Sequence, residues 1–116
     1  MDNERKQRLV DAGIDIADAL DRFMGNENML ERFLGKFVAD QNYQKLLTAL
    51  EANDAEGALA AAHTLKGVSG NLSMKRLFEL LSEQVKAFRD GDFEGAKAMM
   101  GSITDVYNMI TVAINE

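Results

Sequence analysis

The chain has 116 residues, 47% of them hydrophobic and 28% charged, with no proline, no cysteine and a formal net charge of −6. That length fits one domain with a sizeable core, and the composition excludes disordered, collagen-like and disulfide-stapled classes as well as thiol redox and thiolate metal sites. The acidic balance argues against binding nucleic acid or anionic membranes, no segment reads as a signal peptide or approaches the roughly 20 apolar residues of a membrane span, and the cytoplasm is the expected location.

In chain order, Asp15 to about Phe23 reads as a short helix. Leu30, Phe33, Leu34, Phe37, Leu47 and Leu50 then mark one long stripe from about Glu27 to Glu51, capped by Asn26, a rod of roughly 36 Å. Asn53-Asp54-Ala55-Glu56 opens the next helix with a cap residue and, three positions on, a glutamate that can reach back to it. Its core stripe is Ala58, Leu59, Ala62 and Leu65. A break at Gly70-Asn71 precedes Ser73 as a cap, and Leu77, Leu80, Leu81, Val85 and Phe88 share one face until Arg89-Asp90-Gly91. Gly91 suits a left-handed helix end, and Asp92 caps the last helix, where Phe93, Ala96, Met100, Ile103, Tyr107, Ile110 and Ile114 recur at spacings of three and four.

No strand pattern, repeat or linker interrupts this series. The prediction is a single all-α domain over residues 1–116: an antiparallel up-down four-helix bundle, with the short N-terminal helix covering one end. The methionines are read as core filler, because their flexible side chains fill irregular gaps.

One histidine is present, His63. At about 100° of rotation per residue it falls on the flank of the Leu59/Ala62/Leu65 stripe, within reach of solvent. Its helical neighbours include Ala60, Lys66 and Gly67, with Gly70 a turn further on. Gly67 inside a helix costs roughly 1 kcal/mol relative to alanine; close approach of another surface, tight helix packing and the end of the helix are equally open reasons for it. The Lys66 ammonium disfavours imidazolium, keeping the ring nucleophilic, and can stabilise an attached phosphoryl group. Lys66, Lys75 and Arg76 are the one cluster of cations near the histidine.

The segment His63-Thr64-Leu65-Lys66-Gly67-Val68-Ser69-Gly70-Asn71-Leu72, with Leu77 fourteen residues past the histidine, resembles the histidine-containing phosphotransfer domains of multistep phosphorelays. Gly13-Ile14-Asp15 and the stretch from Phe33 to Phe37 also look like that family. The resemblance implies that His63 is the phosphorylated residue and Lys66 the phosphate-stabilising cation. It implies further that Gly67 and Gly70 leave room for a receiver domain, and that Asn71 orients the turn. A glutamine near the histidine is common in the family, with Gln84 and Gln41 as the two candidates. Ser73 departs from the family's frequent glycine and is explained here as a helix cap. The implied activity is relay of a phosphoryl group between receiver-domain aspartates. The implied partners are response-regulator receivers and a hybrid sensor histidine kinase; no cofactor belongs to this chain, and magnesium is expected on the receiver. A free-standing monomeric carrier is expected.

A histidine-kinase helix pair is disfavoured by Thr64, which stands where such kinases carry an acid, and no glycine-rich nucleotide loop is present. A carboxylate-bridged metal bundle needs Glu-x-x-His pairs on two helices, whereas position 60 is alanine, so no metal site is expected. The rival from another class is a docking or inhibitory module of the same shape that binds a receiver or kinase without transferring phosphate.

Overall fold

The computed structural model describes all 116 residues, which form eight helical segments and no strand. They are α1 (Asn3–Asp11), α2 (Ile16–Arg22), α3 (Glu27–Ala39), α4 (Asn42–Glu51), α5 (Ala55–Asn71), α6 (Lys75–Arg89), α7 (Phe93–Ala98) and α8 (Met100–Asn115). Four rods make an antiparallel bundle: α3 with α4, then α5, α6, and α7 with α8. The molecule measures 43 × 23 × 19 Å. Leucine, isoleucine and alanine supply most of the core, with Phe37, Leu65, Leu77, Leu81, Ile103 and Ile110 among its fully buried side chains. Burial of such side chains, each contributing about 1.5–3 kcal/mol, is the main force holding the rods together.

The first rod is two helices instead of one. Asp40 leaves the α3 conformation with ψ 133°, and its carboxylate accepts hydrogen bonds from the backbone and side-chain amides of Asn42, both at 2.8 Å. This local bond competes with the helical ladder and restarts the helix at Asn42. The bend is braced by aromatic rings: Tyr43 stacks on Tyr107 at 4.0 Å, and Phe37 tilts against Tyr107 at 5.5 Å. The fourth rod is interrupted only at Met99, whose backbone stays right-handed helical.

At the N-terminus there are two short helices where the pattern had singled out one. The sequence of α1 is polar, and it buries only Leu9 among its own residues, so it carries little periodic signal. Asp2 caps it, accepting from the Arg5 amide at 2.8 Å. Arg5 then fastens it to the bundle: its guanidinium grips Glu31 through two bonds of 2.7 and 2.9 Å and donates to the carbonyls of Ile114 and Glu116 at the end of α8.

Asn26 and Asp92 cap α3 and α7 as expected, accepting from the amides of Met29 and Gly95, and Gly91 is left-handed at φ 78°. The start of α5 is shifted by one residue. Asp54 is the cap, accepting from the Gly57 amide at 2.9 Å, while Asn53 is left-handed at φ 56° and ends α4. The reciprocal glutamate is therefore absent, since the position three after Asp54 is Gly57.

Candidate functional site

α5 runs unbroken through Gly70 to Asn71, so the helix does not stop where the glycine suggested. Its solvent face carries Ala60, His63, Thr64, Gly67 and Asn71, all exposed, at the spacings of one helical surface. Thr64 folds back to donate to the Ala60 carbonyl at 3.1 Å. His63 therefore stands as the one large side chain over the central part of this face, and it makes no hydrogen bond or ion pair with the rest of the chain.

A Cβ added at Gly67 would meet nothing within 4 Å. Tight packing against a neighbouring helix and the end of α5 are thus both removed as reasons for the glycine, and the bare surface one turn from His63 remains. Gly70 has a different role. A Cβ there would lie 3.0 Å from Cδ2 and 3.1 Å from Cε2 of Phe78, so this glycine seats the Phe78 ring, and its surface is only partly open. Lys66 reaches over the same ring, its Nζ 5.6 Å from the centroid, and has no carboxylate partner. Gly70, Phe78 and Lys66 form one stack, and a cation held by an aromatic face instead of an acid keeps its charge available to an anion. Phe78 escaped sequence reasoning; its signal was an aromatic residue next to, but off, the buried face of α6.

Gln84 does not reach the histidine. It is fully buried between α6 and the α7–α8 junction, where its amide donates to the Ala96 carbonyl at 3.0 Å and to the Met100 sulfur at 3.1 Å, and its Oε1 has no partner. Gln41, the other glutamine considered, is exposed at the start of α4 and makes no bond to His63. Asn71 is exposed and makes no side-chain hydrogen bond within the chain.

Ser73 is not a helix cap. Met74 takes the capping position of α6 without a side-chain bond, and Ser73 is buried and left-handed at φ 56°. A left-handed backbone is the natural reason for glycine at such a position. Serine is held in it by two bonds to the start of α2: its hydroxyl donates to Asp18 Oδ2 at 2.6 Å, and its carbonyl accepts from the Asp15 amide at 3.0 Å. The hydrogen bond from Ser73, aided by one from Arg22, holds the Asp18 carboxyl below the usual aspartate range. Lys75 pairs with Asp15 at 2.9 Å, which lowers the aspartate and raises the lysine, and Arg76 lies 3.7 Å from Glu79. Of the three cations grouped by sequence, Lys66 is the one without an acid.

Two grooves flank the end of α5. One, of about 460 Å³, lies toward α2 and α3 and is floored by Phe23, Phe33, Phe37, Val68 and Leu72. The other, of about 450 Å³, runs over Gly67 and Gly70 to Lys75 and Phe78 on α6. Arg22 and Asn71 line both.

A family model described as Hpt domain matches residues 28–111, more than two-thirds of the chain, including all of α4 to α7 and with them the histidine face. The chain belongs to the Hpt domain family. No curated protein and no solved structure matches it. As an Hpt domain it is a phosphotransfer module of two-component signalling, a phosphocarrier of the kind that interacts with receiver domains and kinases. No helix is long and apolar enough to cross a membrane.

Proposed function

We propose that this Hpt domain relays a phosphoryl group between receiver-domain aspartates through His63. The observation that supports this most is the placement of His63: the lone imidazole on an exposed face of small residues, one turn from a lysine with no acid partner. A receiver bearing an aspartyl phosphate docks over Gly67 and the neighbouring surface. The lone pair of the imidazole Nε2 attacks phosphorus in line, the N–P bond forms, and the P–O bond to the aspartate breaks with its electron pair leaving on the carboxylate. The ring keeps its proton on Nδ1 throughout, and Lys66 offsets the charge of the phosphoryl group. Discharge to a second receiver is the reverse sequence.

The chain does not use ATP by itself in this reading, magnesium belongs to the receiver, and the carrier works as a cytoplasmic monomer. Gln84 has no part in the transfer. The experiment mixes the chain with ATP and a hybrid kinase, with and without the kinase's receiver domain, and follows acid-labile, base-stable phosphate. Label on His63 that requires the receiver is the expected result. Label on His63 without any receiver overturns the receiver-to-receiver relay, and binding to the receiver with no label overturns transfer altogether.

A further inference from the structure

We propose that Arg22 is a specificity-determining residue for the receiver partner, reading a carboxylate on the receiver beside the end of α5, with Asp18 and Ser73 as the positioning residues that hold it there. This rests on the phosphotransfer reading above.

Arg22 lies outside the residues the family model matches, yet it borders both grooves that flank the histidine face. From His63 to Asn71 the helix rises about 12 Å. A partner covering a standard footprint of about 800 Å², a disc of roughly 16 Å radius centred on the histidine, reaches that end of α5 and the arginine beside it.

The arginine is half exposed, and only its Nε is engaged, donating to Asp18 Oδ2 at 3.1 Å. Its Nη donors have no acceptor in the chain, leaving the part of the guanidinium fork that recognises a carboxylate in a two-point contact free. The same Asp18 oxygen receives the Ser73 hydroxyl, and Ser73 is buried in the turn that joins α5 to α6. The cation is thus tied through two hydrogen bonds to the helix that carries His63, instead of swinging from the surface.

The surroundings favour an acidic visitor. Although the chain carries a net charge of −6, the two grooves are lined by Arg22, Lys36 and Lys75 against a single lining acid, Asp40. Lys75 is paired with Asp15 and the Nε of Arg22 with Asp18, so the cationic groups left open are Lys36 and the Nη end of Arg22. Lys36 lies over the Phe33 ring at 4.7 Å and has no carboxylate partner. An apolar floor with cations at the rim suits a receiver surface that presents a carboxylate next to an aliphatic or aromatic side chain.

The test separates loading from recognition. Phosphoramidate, a small donor that needs no docking surface, loads wild type, Arg22→Gln, Arg22→Glu and Asp18→Ala, and each loaded chain is discharged to a panel of isolated receiver domains. All four are expected to load at equal rates. For the receiver that wild type prefers, Arg22→Glu raises the receiver concentration giving half-maximal transfer by about tenfold, Arg22→Gln by less, and the maximal rate is retained. Asp18→Ala raises it a few-fold on the wild-type background and not at all on the Arg22→Gln background, which a merely structural role would not produce. Unchanged half-saturation for Arg22→Glu with every receiver overturns the proposal. Failure of wild type itself to load on His63 removes the phosphotransfer reading, and the proposal with it.

Discussion

Replacing Gly67 with alanine separates stability from function. The position lies inside α5, its backbone is not left-handed, and the added methyl meets no atom within 4 Å, so the folded state accepts it without strain. Alanine is favoured over glycine in a helix by up to about 1 kcal/mol, less near a helix end, so a gain of about 0.5–1 kcal/mol is expected. For a chain of this length that corresponds to a rise in melting temperature of about 2–4 °C. The same methyl stands one turn from His63 on the face proposed for the receiver, and a displacement of the order of 1 Å at a reacting centre slows transfer by up to about a hundredfold. Gly67→Ala therefore melts higher and transfers more slowly, measured by circular dichroism and by single-turnover phosphate transfer. Gly70→Ala is the contrast: its methyl presses on the Phe78 ring, so the stability gain shrinks or reverses. A Gly67→Ala chain that melts no higher, or that transfers at the wild-type rate, refutes the reasoning.

Lys66→Ala leaves the bundle folded to within about 1 kcal/mol, the scale of its contact with Phe78, while phosphate is lost from His63 faster or arrives more slowly; unchanged kinetics remove Lys66 from the mechanism. Gln84→Met gives up two hydrogen bonds, to the Ala96 carbonyl and to the weakly accepting Met100 sulfur, together worth about 1–2 kcal/mol, but removes a buried oxygen that has no partner at a cost of about 1–3 kcal/mol. That variant is expected to be as stable as wild type or more so in chemical denaturation, with transfer unchanged. Ser73→Gly and Ser73→Ala both lose the bond to Asp18, so their difference reports the left-handed backbone: alanine is expected to be less stable by about 1 kcal/mol. Because the folded Asp18 carboxyl is held below its ordinary value, its contribution is fully present above the usual carboxylate range and fades as pH falls through the lowered value. The gap in melting temperature between wild type and Asp18→Asn should accordingly close in acid; a gap that widens there would contradict the hydrogen-bond assignment.

The four rods were legible because their apolar residues repeat at helical spacing, and the caps at Asn26 and Asp92 were legible because each side chain acts within its own turn. Interruptions were not. Asp40 breaks the first rod through a bond to Asn42, while the apolar stripe continues on either side and conceals it. α1 was hidden because Arg5 attaches it through contacts with α3 and α8 that are remote in sequence. At the site, the exposure of His63 followed from its angle to the stripe. The stack of Gly70, Phe78 and Lys66, and the hold of Ser73 on Asp18, depend on how α5, α6 and α2 meet, which no single helix pattern contains. Gln84 carries the same lesson: a polar residue on the buried face of α6 satisfies part of its hydrogen bonding at the α7–α8 junction.

The most direct measurement is to incubate a phosphorylated receiver domain with the wild-type chain and with His63→Gln, and to locate any transferred group by intact-mass and fragment-ion spectrometry under alkaline conditions. Both proteins should be folded to within about 0.5 kcal/mol of each other, since the imidazole is exposed and makes no hydrogen bond or ion pair within the chain. A single phosphoryl group on His63 of the wild type, and none on the variant, is the result the account predicts. Phosphoryl transfer to the His63→Gln chain, or to another residue of the wild type, would contradict it.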